Sequence, residues 1–130
     1  MDFREFLAWE RASRDTIDFK RIYVDITGDL IAGLMLSQIL FWYLPDRDGN
    51  SKLRVNRNGH HWIVRSRLDW WSEIRISKKQ ADRAIRLLRE QNLIIVKYHR
   101  FKGLRTTHLR LNKATFLISL QQAIEENHAQ

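Results

Sequence analysis

Between Ser77 and Asn92 apolar and basic positions alternate with the period of a helix. Ala81, Ala84, Ile85 and Leu88 fall at i, i+3, i+4 and i+7, one apolar stripe, and Lys78, Lys79, Arg83, Arg86 and Arg89 lie off it. Ser77 stands at the N-cap position and Gln80, three residues on, completes a capping box. Asn92 is among the few non-glycine residues that tolerate the left-handed conformation of a helix stop. The spacing predicts a helix over about 78–91, with Asp82 placed to pair with Arg86 four residues later. Upstream, Ser66 and Asp69 form a second box-like start. They predict a short helix over about 67–73, with Leu68 and Trp71 inward. Residues 73–76 then leave room only for a sharply angled joint, the geometry of a helix-turn-helix.

Beyond Asn92 the period falls to two. Ile94, Val96 and Tyr98 alternate with Ile95, Lys97 and His99, and Thr107, Leu109 and Leu111 alternate with His108 and Arg110. This is the pattern of two half-buried strands, with Gly103 supplying the bend and His99 near His108 across the pair. His61–Val64 reads as a further short strand able to join them.

The flanks are simpler. Phe3, Phe6 and Leu7 at i, i+3 and i+4 predict a helix over 2–13, whose apolar side needs another surface to cover it. Phe19–Ile26, rich in β-branched and aromatic residues, predicts a short strand or extended segment. Thr27, Gly28 and Asp29 start a helix that reaches about Tyr43 and is ended by Pro45. It is apolar almost all round, so it is expected at the centre of the core, its Phe41-Trp42-Tyr43 end included. Residues 46–59 are polar and aperiodic and predict an exposed loop, whose Lys52, Arg54 and Arg57 either touch DNA or are simply solvated. Asn112 caps a predicted tail helix over 113–126, with Phe116, Leu117, Leu120 and Ile124 on one side.

These elements in this order predict a mainly α chain with a small β-sheet. The expected fold is α+β, a winged helix-turn-helix with extra N- and C-terminal helices. We expect one domain over 1–130, with a core at 27–112 and flanks at 1–26 and 113–130. The flanks are expected to pack together and build a homodimer or higher homo-oligomer through Phe3, Phe6, Leu7, Phe116, Leu117, Leu120 and Ile124.

Charge sharpens this picture. The net formal charge of the 130 residues is +8. Lys52–Lys113 holds seventeen Lys and Arg against four carboxylates, a net of +13, and the remainder carries −5. Positive charge gathered on the helix-turn-helix and wing is the footprint expected for a polyanion partner, here double-stranded DNA. Residues near the start of a recognition helix reach base edges, which assigns Lys79, Gln80 and Arg83 to bases. Arg86, with Arg100, Lys102 and Arg105 of the wing, is assigned to phosphates, and Arg67, Ser77 and Lys78 complete the expected contact set.

Other classes recede. The chain has no cysteine, which removes disulfides and thiolate metal sites. Leu30–Leu44 is short for a membrane span and contains Ser37 and Gln38, and the N-terminus lacks a signal-peptide profile, so a cytoplasmic protein without membrane partners is expected. No Walker loop, GxGxxG or HExxH occurs, and the five histidines are not spaced as metal ligands. Neither an enzyme nor a cofactor or metal is expected.

With these residues placed, DITGDLIAGLMLSQILFWY, a loop, and HWIVRSRLDWWSEIRISKKQADRAIRLLREQNLI together resemble the N-terminal winged-helix region of phage and plasmid replication proteins. These include replisome organisers and initiators related to the DnaD primosomal family. The resemblance covers roughly Tyr23 to Asn112, and Asn92 stands where many relatives have glycine. It implies a role in replication initiation, a replicative helicase or its loader as partner, and self-association through the winged-helix domain. Two other functions fit the same residues: an oligomerisation module of a primosomal protein whose basic surface is incidental, and a winged-helix transcriptional repressor.

Overall fold

The computed structural model describes residues 1–129, apart from the side chains of Phe101 and Ala129; Gln130, the end of the expected C-terminal flank, lies outside the described residues. The elements run α1 (Phe3–Ala12), α2 (Ile22–Thr27), α3 (Leu30–Tyr43), β1 (Val55–Arg57), β2 (His60–Arg65), α4 (Asp69–Ile74), α5 (Lys78–Glu90), β3 (Ile94–Phe101), β4 (Leu104–Leu111) and α6 (Lys113–Ala129). The strands form one antiparallel sheet in the order β1-β2-β4-β3. Helix, strand, two angled helices and a closing hairpin make a winged helix-turn-helix, carried here on an α+β chain with extra helices at both ends.

α3 is the centre of the core. Asp29 caps it, its carboxylate accepting from the Ala32 N–H at 2.9 Å, and Ala32, Met35, Leu36 and Ile39 are fully buried. Gly33 is needed for close approach: a Cβ there would lie 3.1 Å from the Tyr23 carbonyl oxygen and from Val24 of α2. α4, α5 and the inner face of the sheet close over α3, with Leu109, paired to both Ile63 and Val96, at the sheet's centre. α5 has the stripe and the box expected of it. Ala81, Ala84 and Leu88 are buried, Ser77 Oγ accepts from Gln80 N at 3.2 Å, and Gln80 Oε1 accepts from Ser77 N at 2.8 Å. Its stop is a Schellman arrangement around Asn92 at φ +62°, with Leu93 N donating to Leu88 O and Asn92 N to Arg89 O.

Five expectations are corrected. Phe19–Ile26 is not extended: Ile22–Thr27 is helical, because Tyr23 and Ile26 lie against the core and the Thr27 hydroxyl donates back to Tyr23 O at 2.8 Å. The segment 46–59 is not loop throughout. Asn58 and Gly59, both at positive φ, make the two-residue turn of a β1–β2 hairpin. The inward residues of α4 are Trp70 and Ile74, while Leu68 and Trp71 are exposed. The buried turn residue Ile76 continues the face set by Trp70 and Ile74, which turns Trp71 to solvent. Asp82 pairs with Arg67 rather than Arg86, and Arg86 reaches Glu90 at 3.9 Å. Finally, α6 packs on α2, and Phe116 is buried with its ring tilted against that of Tyr23 at 6.4 Å. Phe116 thus belongs to this chain's own core, not to a surface left for a dimer, and Leu120 also packs against that core. α1 has no buried residue, and Phe3, Phe6, Leu7 and Trp9 all stand exposed on it.

Candidate nucleic-acid interface

α5 meets the solvent with its basic side. Its start is set by the capping box, so Lys78 and Lys79 occupy the first turn, where no acidic residue accompanies them. Both are exposed, and neither has a hydrogen bond or ion pair among the described residues. Lysines there sit on the positive end of the helix dipole, which disfavours them for stability and strengthens the local field for an anion. Gln80 Oε1 is held by the Ser77 N–H, so Ser77 and Gln80 serve the helix start first, and only the Gln80 amide N–H groups remain to reach outward.

Three arginines of the helix-turn-helix, Arg67, Arg83 and Arg86, are engaged within the chain. Arg83 makes a two-pronged pair with Asp29, at 2.5 and 3.1 Å. The guanidinium holds the Asp29 carboxyl below its usual range, reinforced by the Ala32 N–H, and Asp29 raises Arg83 in turn. Gln91 Nε2 donates to Thr27 O at 2.7 Å, a second tie between α5 and the α2–α3 joint. Arg83, expected to read a base, is therefore a strap between α5 and α3. Arg67 is likewise bound to Asp82 at 2.5 and 3.1 Å. Arg67, Asp82, Arg86, Arg89 and Tyr98 line a groove of about 680 Å³ between α5 and the sheet, where Arg89 has no ion pair among the described residues.

The wing is a β-hairpin closed by Lys102 and Gly103, at φ +53° and +82°, the backbone that a twisted two-residue turn demands. Arg100 and Lys102 are exposed, and Arg105 lies over the Tyr98 ring at 4.6 Å. Arg100 is positioned through its backbone, whose carbonyl accepts from Arg57 Nη2 at 2.7 Å. Arg57 also donates through Nε to His108 Nε2 at 3.2 Å. His99 and His108 meet at 4.8 Å, as expected from the strand register, beside Trp62. Burial pushes the fully enclosed His108 below the ordinary imidazole range.

The angle of α4 is set by Glu73. Its Oε1 accepts from Arg65 Nε at 2.5 Å, and its Oε2 from Gln38 Nε2 at 2.9 Å and Trp42 Nε1 at 3.3 Å. One carboxylate thus ties α4 to both α3 and β2. Sequence reasoning had no signal for it, because its partners are 8, 31 and 35 residues away. Reasoning from the sequence also passed over a signal that was visible. Residues 49–68 and 91–124 contain no Asp or Glu, and these two runs supply the whole sheet.

No protein-family model, curated protein or solved structure matches this chain. Among the described residues, no group of three or more His, Asp or Glu is placed to hold a metal ion, and no helix is long and apolar enough to cross a membrane.

Proposed function

We propose that this chain binds duplex DNA through the first turn of α5 and the wing, as a binding protein rather than an enzyme, in initiation of phage- or plasmid-type replication. The observation that carries DNA binding is the pair Lys78 and Lys79 in the first turn of α5, whose side chains have no hydrogen bond or ion pair among the described residues, together with a β3–β4 hairpin that contains no carboxylate. Lysines placed against the helix dipole cost stability unless an anion answers them. The role in replication rests on the residue resemblance alone, and a repressor would make the same contacts. Because Arg83 and Arg67 are held by Asp29 and Asp82, the phosphate contacts fall to Lys78, Lys79, Arg89, Arg100 and Arg105, with Lys102 placed at the wing tip and Arg86 reaching only a distant Glu90.

The test is the salt dependence of duplex affinity. Each neutralised phosphate contributes about −0.9 to the slope of log affinity against log salt, so four to six contacts give roughly −3.6 to −5.4. Lys78→Gln with Lys79→Gln should make the slope shallower by about 1.8. A wild-type slope near zero, or no binding at low salt, removes the reading.

A second reading, a protein-interaction module, draws on α1. Its aromatic side chains Phe3, Phe6 and Trp9 form a ladder at 5.5 and 6.3 Å, and all three stand exposed. This reading places self-association, or docking on a replicative helicase or its loader, at that helix, and it is compatible with the first.

A further inference from the structure

We infer that a second phosphate-binding surface, built from Arg110, Lys113, His60 and His61 at the end of the sheet away from the wing tip, takes the backbone of a second nucleic-acid segment. The inference rests on the reading of this chain as a DNA-binding protein but uses none of the α5 or wing-tip residues.

The two carboxylate-free runs meet there. The β1–β2 turn brings His60 and His61 to the point where β4 passes into α6, and the strand register sets this end opposite Lys102 and Gly103. Between them lies a concavity of about 540 Å³, lined also by Tyr43, Ser51 and Asn112, with no carboxylate in its wall. The side chains of Arg110 and Lys113 have neither a hydrogen bond nor an ion pair among the described residues. Arg110 Nε is buried without an acceptor, its guanidinium held at 5.3 Å from the Trp62 ring, and Lys113 Nζ stands 5.6 Å from the Tyr43 ring. The aromatic faces fix both cations without neutralising them.

This differs from the helix-turn-helix, where three arginines have carboxylate partners. An unpaired, partly desolvated guanidinium is a costly group to leave without an acceptor, and phosphate oxygens match its fork. Tyr43 adds a neutral donor. Its hydroxyl oxygen already accepts from Leu111 N at 2.8 Å, and burial raises the phenol, so the O–H stays protonated. The positive end of the 17-residue α6 opens on the same space and adds charge of the same sign. Arg110, Lys113, His60, His61 and Tyr43, five donor-bearing side chains around an open concavity, suit a sugar–phosphate backbone, which passes along a surface, better than an enclosed small anion.

The full chain decides this by NMR of the histidine rings on addition of a short duplex. The expected result is that His60 and His61 shift in the wild type and in Lys78→Gln/Lys79→Gln, and that the shift is lost in Arg110→Gln/Lys113→Gln, with the Trp62 indole signal reporting an intact fold. If the double variant loses that signal, Lys113→Gln alone, on an exposed side chain, should still weaken the shift. A duplex that binds through Lys78 and Lys79 without moving His60 or His61 overturns the second surface and leaves the first. So does a His60 and His61 shift that vanishes when only Lys78 and Lys79 are changed. Absence of duplex binding in every form overturns both.

Discussion

Replacing Glu73 by alanine should destabilise the protein more than any other single change to a charged residue of the helix-turn-helix. The carboxylate accepts three hydrogen bonds, from Arg65, Gln38 and Trp42, and it and Arg65 are each less than one-fifth exposed. A hydrogen bond to a charged group contributes on the order of 1.5–3 kcal/mol, and stranding one member of a buried pair costs about 3–5 kcal/mol. The three donors share one acceptor group, so their losses overlap, and Arg65 keeps its bond to the Val64 carbonyl and its place at 4.1 Å over Trp42. About 3 kcal/mol is the resulting expectation for Glu73→Ala. Glu73→Gln keeps one acceptor oxygen but turns an amide N–H₂ toward a donor, and should lose about half as much.

Urea unfolding followed by tryptophan fluorescence reads this directly, since Trp42 and Trp70 lie on the two elements that the carboxylate joins. The double-mutant cycle with Arg65→Ala should give a coupling of more than about 1 kcal/mol. A loss under about 1 kcal/mol for Glu73→Ala, with no coupling to Arg65, would refute the claim that this carboxylate sets the angle of α4.

Two further outcomes follow from the structure. His108 is held neutral by burial, an effect reinforced by the neighbouring His99 and Arg57 and opposed by the Thr106 carbonyl. The unfolded chain takes up that proton near pH 6.5, so stability is complete above this pH and falls as pH drops toward the lowered folded value. Urea midpoints compared between neutral pH and about pH 5 should fall more in the wild type than in His108→Phe, and equal falls would refute the assignment. Removal of residues 1–12 should change stability by less than about 0.5 kcal/mol, because no residue of α1 is buried, yet it should abolish any self-association seen by light scattering. Unchanged association would move the contact to the exposed Leu117 and Ile118 of α6.

How much of this was legible in the sequence depends on the range of the interaction that decides each feature. The extent and apolar face of helix α5 were legible because their signals are local: Ser77 with Gln80, the apolar stripe, and Asn92 at the stop. The wing was legible for the same reason, a strict period of two on each side of Gly103. The Asn58-Gly59 turn carried an equally local signal that was absorbed into a polar loop because the strand before it is only three residues long. α2 was misjudged because its β-branched composition outweighed the i, i+3 spacing of Tyr23 and Ile26, and the deciding contact, with Phe116, lies 93 positions away in sequence. Charge pairing is harder still. Asp29 lies 54 residues from Arg83 and Asp82 lies 15 from Arg67, so a residue count treats these arginines as free when the fold has engaged them. A stretch with no carboxylate escapes that uncertainty in part, since no acid within it can pair with its cations. That makes the runs at 49–68 and 91–124 a better guide to unneutralised surface than the arginine-rich helix is, and they lead to Arg110 and Lys113 rather than to Arg83.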